Sequence, residues 1–165
     1  MRACDKALHF AKHASGDNTD ELLSSCALFK AVVMMRNYKG TVHEMLSLLN
    51  LGGKICEKSE NKFTQVNYEL QISRAWYCAL IKREKEQIPK HLHRAYTIIK
   101  KIYSSDLAAI VHIILPAARM YYDMLDNKKA AELLNKGIEI CRRHEELPYI
   151  RQRQEIEEIL KGFTD

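Results

Sequence analysis

Residues 107–141 read LAAIVHIILPAARMYYDMLDNKKAAELLNKGIEIC. Apolar residues recur at Ile110, Ile114, Ala117, Ala118, Tyr121 and Leu125, then again at Ala130, Leu133, Leu134, Gly137, Ile138 and Cys141. Spacings of three and four place each set on one face of a helix. The polar triplet Asp126-Asn127-Lys128 lies between them. So short a turn brings the two faces together, and the stretch reads as an αα-hairpin.

Working outward, SLLNLGGKIC (47–56) matches ELLNKGIEIC (132–141) at Leu48/Leu133, Leu49/Leu134, Asn50/Asn135, Gly52/Gly137, Ile55/Ile140 and Cys56/Cys141. Residues 90–103 contribute a copy with Leu92, Tyr96 and Ile99 in the places of Ala130, Leu134 and Gly137. Residues 2–14 contribute another, with Ala7, Ala11 and Ala14. A glycine inside a helix costs about 1 kcal/mol against alanine. Gly52 and Gly137, at matched places, are therefore expected where a second helix approaches closely.

The small residues Ala117 and Ala118, Tyr121 one turn later, the short polar turn, then Ala130, Leu134 and Gly137, resemble a tetratricopeptide repeat, whose period is about 34 residues. Leu125 stands where that family carries glycine, and the family's closing proline is absent. Trp76 falls where the family prefers an aromatic early in the first helix of a unit, with Phe29 and Ile114 in that place in the flanking units. The resemblance implies an all-α, right-handed αα-hairpin solenoid of about eight antiparallel helices, one domain over 1–165. Its last helix, 148–163, would act as the cap.

The rest of the chain fits helices. It holds three prolines and six glycines in 165 residues, and no stretch alternates long enough for a sheet. Helices are expected at 2–14, 20–38 (Leu22, Cys26, Phe29, Val32, Val33, Met34), 41–58 (Val42, Met45, Leu48, Leu49, Gly52, Ile55) and 62–86 (Phe63, Val66, Leu70, Ser73, Trp76, Tyr77, Leu80). Thr19 or Asn18 caps the second. Gln87-Ile88-Pro89 ends the fourth. Helix five spans 90–103 with Leu92, Ala95, Tyr96, Ile99 and Ile102, and Ser104-Ser105-Asp106 caps helix six. Pro148 opens the eighth helix, which carries Ile156, Ile159, Leu160 and Phe163.

Residues 2–14 look like the second helix of a hairpin whose first helix is missing. With Leu8, Phe10 and a row of alanines, that end is expected to continue into a larger protein or to form a homodimer. No apolar run follows Met1-Arg2-Ala3-Cys4-Asp5-Lys6, so no signal peptide is expected. The apolar run Leu107–Ala118 is too short to span a bilayer. Five widely spaced cysteines without a Cys-x-x-Cys read as buried thiols in a reducing, cytoplasmic setting.

The formal charge is +5, mildly basic, which permits an acidic partner. No glycine-rich phosphate loop and no GxSxG occurs, and no cofactor is expected. His9 and His13 share a helix face without a third ligand, and His91-x-His93 points two ways, so neither makes a metal site. Cys78 reads as core rather than nucleophile. Glu155, Glu157 and Glu158 read as a solvated face. The basic pairs Lys82-Arg83, Lys100-Lys101, Arg142-Arg143 and Arg151/Arg153 sit near helix ends without interleaved aromatics, against direct nucleic-acid binding.

In the tetratricopeptide family the first helix of each hairpin lines the groove. Carried over, this surface would be Lys30, Met34 and Asn37, then Arg74, Tyr77 and Ile81, then His112, Arg119 and Tyr122. Long cations and tyrosines suit an acidic peptide or a C-terminal carboxylate. The resemblance implies a non-catalytic protein- or peptide-binding module, similar to the sensor domains of bacterial transcriptional regulators. The alternative is an RNA-binding helical-repeat protein.

Overall fold

The computed structural model describes residues 2–16, 19–37, 40–58 and 64–162. The expected roles of Asn18, Phe63 and Phe163, and that of the Ile55 side chain, lie outside what it describes. Every regular element among the described residues is helical: α1 (Arg2–His13), α2 (Thr19–Arg36), α3 (Val42–Lys58), α4 (Thr64–Ile81), α5 (Gln87–Ile102), α6 (Asp106–Ala109), a π turn (Ile110–Ile114), α7 (Leu115–Asp123), α8 (Asn127–Cys141) and α9 (Leu147–Lys161). The segments α6, π turn and α7 follow one another without a break and make one rod.

The chain forms two compact units, Met1–Ile98 and Ile99–Asp165. In the first, α2 packs against α1, α3 and α4, and α3 also packs against α4. The core is Leu8, Ala27, Leu28, Ala31, Met34, Met35, Met45, Leu48, Leu49, Val66 and Leu70, with Trp76 and Tyr77 laid against its edge. In the second, α8 packs against the π turn, α7 and α9. Its core is Ile110, Ile114, Ala118, Leu134, Ile138, Cys141 and Ile156.

Both repeat glycines lie at close approaches. A Cβ on Gly52 would fall 2.8 Å from Leu28 Cδ2 on the preceding helix. One on Gly137 would fall 3.5 Å from Ile114 Cγ2 on the preceding rod and 3.1 Å from Ile156 Cδ1 on α9. Leu49 and Leu134, three residues earlier, are both buried in the core of their own unit. Each matched glycine therefore faces the helix before it, tightly at Gly52 and at ordinary contact distance at Gly137, whose closer neighbour is α9.

The caps follow elementary rules. Ser105 accepts the Leu107 N–H at the start of α6, and Asp126 accepts the Lys129 N–H at the start of α8. Thr41 and Glu44 form a reciprocal capping box: Thr41 Oγ1 accepts the Glu44 N–H at 3.1 Å, and Glu44 Oε2 accepts the Thr41 N–H at 2.8 Å.

Three expectations are corrected. The α7–α8 turn occupies Met124, Leu125 and Asp126, and Asn127 is already helical. Helix α4 ends at Ile81, not near 86. The break comes where Lys82 and Glu84 take positive φ angles of 54° and 51°. Pro89 then lies in the first turn of α5, where its missing N–H has no intrahelical acceptor to lose. Third, the buried face of α2 is Ser24, Ala27, Leu28, Ala31, Met34 and Met35. Leu22 and Phe29 are exposed, Phe29 by 62%.

Candidate ligand-binding surface

In the first unit the α2 residues expected at a groove are held by their own neighbours. The Lys30 ammonium lies 2.6 Å from the Asp5 carboxylate of α1. Its hydrogen bond holds the Asp5 carboxyl below the ordinary range. Asn37 is exposed, with its amide donating to the Val33 carbonyl at 2.7 Å. Met34 is only 2% exposed and belongs to the core, not to a surface. The helix turns it inward beside Leu28, Ala31 and Met35.

The α4 residues differ. Arg74, Tyr77 and Ile81, spaced three and four apart, are all half-buried and share one face. Arg74 lies across α3, its Nη2 2.5 Å from where a Cβ on Gly53 would be. The bare backbone at Gly53 makes room for the guanidinium. Burial pushes the Tyr77 phenol above its ordinary value.

Gln71, one turn before Arg74 on α4, meets the start of α5, where Lys90, His91, His93 and Arg94 fall within the first two turns and the first turn holds no acid. Cations are unfavourable there, because the helix N-terminus is itself positive. His91 is half-buried, and its Nδ1 is 2.9 Å from Oε1 of the buried Gln71. Gln71 Nε2 in turn donates to Asn67 Oδ1 at 3.4 Å. Burial, then the charges of Arg74, Arg94 and Lys90, hold the His91 imidazole below its ordinary value. The charges of Arg74, Lys90 and Arg94 thus all disfavour a proton on His91. Sequence reasoning found Arg74 but weighed His91 only as a metal ligand. The signal it passed over was a helix that begins with cations.

In the second unit, the rod carries His112, Arg119 and Tyr122. Arg119 and Tyr122 are exposed, and the Arg119 guanidinium lies 5.8 Å from the centre of the Tyr122 ring. Its Nε also lies 3.0 Å from Asp123 Oδ1. His112 is half-buried and stacks on Tyr103, with ring centroids 5.7 Å apart and planes 4° apart. The rod thus carries one cation laid over Tyr122 and one histidine stacked on Tyr103. Asp123 and Tyr103 were not foreseen.

A second polar cluster lies in this unit. The His144 ring stacks on Tyr149, whose hydroxyl accepts the Leu107 N–H at 3.2 Å and lies 3.2 Å from Ser105 Oγ. His144 also lies 3.7 Å from Asp106 and 3.6 Å from Glu146. This is a cap shared among α6, the α8–α9 corner and α9. Ser105 is engaged by backbone and phenol, which is the role of a cap and not that of a nucleophile.

Cys78 is buried and its thiol is pushed up by burial, as are those of Cys26 and Cys141. Among the described residues, no three histidine, cysteine or acidic side chains converge as metal ligands. Nor is any helix among them long and apolar enough to cross a membrane. No family model, curated protein or solved structure matches the chain.

Proposed function

We propose that the chain is a non-catalytic helical-repeat module of tetratricopeptide type that binds an acidic protein segment or a peptide C-terminal carboxylate. The observation that carries this reading is the half-buried His91 at the start of α5, 2.9 Å from the buried Gln71 of α4 and flanked on its own helix by the cations Lys90 and Arg94. That positive point is reinforced by the helix terminus and favours an anion. Arg74 and Tyr77 on one helix face supply a carboxylate partner and an apolar wall. Arg119, Tyr122 and the Tyr103–His112 pair offer the same chemistry on the other unit. The matched placement of Gly52 and Gly137 supports the repeat.

A binding module of this kind, placed in the cytoplasm, serves as the sensor or interaction part of a transcriptional regulator. The test is selection from a library of peptides with free C-termini, followed by comparison of each binder with its C-terminally amidated form. Loss of binding on amidation supports carboxylate recognition. Retention, with binders lacking acidic residues, refutes it.

RNA binding is the second reading, because the excess of cations lies wholly in one unit. Residues 1–98 hold 15 Lys and Arg against 10 Asp and Glu, and residues 99–165 hold 11 of each. A steep fall of RNA affinity with salt would favour it over peptide recognition.

A further inference from the structure

Helix α1 has two apolar faces and the described chain covers one. Cys4, Leu8 and Ala11 are buried against α2. Ala3, Ala7 and Phe10, spaced four and three apart and continued by Ala14 just past the helix end, form a second stripe that is exposed along its whole length. Phe10 is 70% exposed, with the His9 ring edge-to-face to it at 6.1 Å between centroids. The alanines would let another helix approach closely, and Phe10 is a knob for it.

The charge beside the stripe decides the occupant. Arg2, Lys6, His9 and His13 follow on the side of the stripe away from α2, and all are exposed. Lys12 adds a further cation on α1. The one acid of the helix, Asp5, is held by Lys30. A second copy of α1 laid on this face would bring the basic flank of Arg2 and Lys6 onto another basic flank, which is repulsive. A helix with apolar residues at the same spacing and Glu or Asp along one flank is complementary in both respects.

We infer that the Ala3–Ala7–Phe10 face of α1 docks an amphipathic helix whose flank is acidic. This surface is separate from the Arg74 site, and the test keeps the two apart. Fluorescein-labelled helical peptides with a Leu/Ala stripe and Glu flanks, and their Lys-flanked counterparts, are titrated into the whole chain by anisotropy. The Glu series is expected to bind more tightly than the Lys series by about tenfold or more. Phe10→Ala and Lys6→Glu should each weaken it by about tenfold with unchanged circular dichroism, and Arg74→Glu should leave it unaltered. Equal binding of the two series, no binding by either, or indifference to Phe10→Ala overturns the inference. So does self-association of the chain that Phe10→Ala abolishes, since the occupant would then be a second copy.

Discussion

The imidazole of His144 lies flat on the ring of Tyr149, with centroids 3.9 Å apart and planes within 10°. The pair closes the α8–α9 corner over the start of α6. There the hydrogen bond from Lys100, helped by His144, holds the Asp106 carboxyl below its ordinary value near 3.8. A carboxylate with a depressed folded pKa stabilises the fold fully above its unfolded value, and the contribution is lost as pH falls through the folded one. Urea denaturation followed by circular dichroism should therefore show stability falling as pH drops from about 5 toward 3. Asp106→Asn should flatten part of that slope. An unchanged slope would remove Asp106 from the account.

His91 gives the same direction for a base, at higher pH. Burial and the neighbouring cations hold its imidazole below its ordinary value of 6.5. The unfolded chain then takes up a proton first as pH falls, so stability drops below pH 6.5 and is retained above it. His91→Gln should remove this dependence between that value and the lower folded one. A bound anion beside His91 should raise its pKa, which proton NMR of the imidazole would follow.

The two repeat glycines should respond unequally to alanine. At Gly52 the added methyl meets Leu28 Cδ2 at 2.8 Å and Cγ at 3.0 Å, inside a side chain that is 1% exposed. Overpacking of that kind costs about 1–3 kcal/mol, against about 1 kcal/mol gained from helix propensity. At Gly137 the nearest atom is Cδ1 of the buried Ile156, at 3.1 Å, which has to give by only a few tenths of an ångström. Gly52→Ala should be destabilising and Gly137→Ala close to neutral, as read from denaturation midpoints. The reverse order would mean that the two approaches are not as close as described.

Leu125 has a φ of 63° and is 82% exposed. The left-handed conformation costs a residue with a Cβ about 1–2 kcal/mol. Glycine avoids that cost and loses part of the gain to unfolded-chain entropy. Leu125→Gly should raise stability by about 0.5–1 kcal/mol, and a lower melting temperature would contradict the assignment.

Much of this was legible in the residues. The hairpin around residue 126 showed in its spacing, and Gly52 and Gly137 announced close packing because a helix tolerates glycine poorly. Leu125 was visible as a departure from the tetratricopeptide pattern, and it proves to hold the backbone conformation that glycine favours. The face of α2 was not legible. From Leu22 to Met35 that helix is apolar on nearly every side, so periodicity could not tell buried Met34 from exposed Phe29. The π turn was hidden too. Pro116 cannot donate its share of helix hydrogen bonds, and the ladder widens just before it, with the Leu115 N–H reaching back to the Ile110 carbonyl. The setting of His91 depends on Gln71 and Arg74 of α4 as well as on Lys90 and Arg94 of α5, which no local pattern reveals.

The central claim is tested most directly by calorimetric titration of a selected free-carboxylate peptide into the native chain and into Arg74→Glu and Arg119→Glu variants, with melting temperatures measured alongside. The account predicts that Arg74→Glu weakens binding at the site of the first unit by about tenfold or more, that Arg119→Glu weakens binding at the surface of the second, and that neither lowers the melting temperature by more than a few degrees. Unchanged affinity in both variants would contradict it.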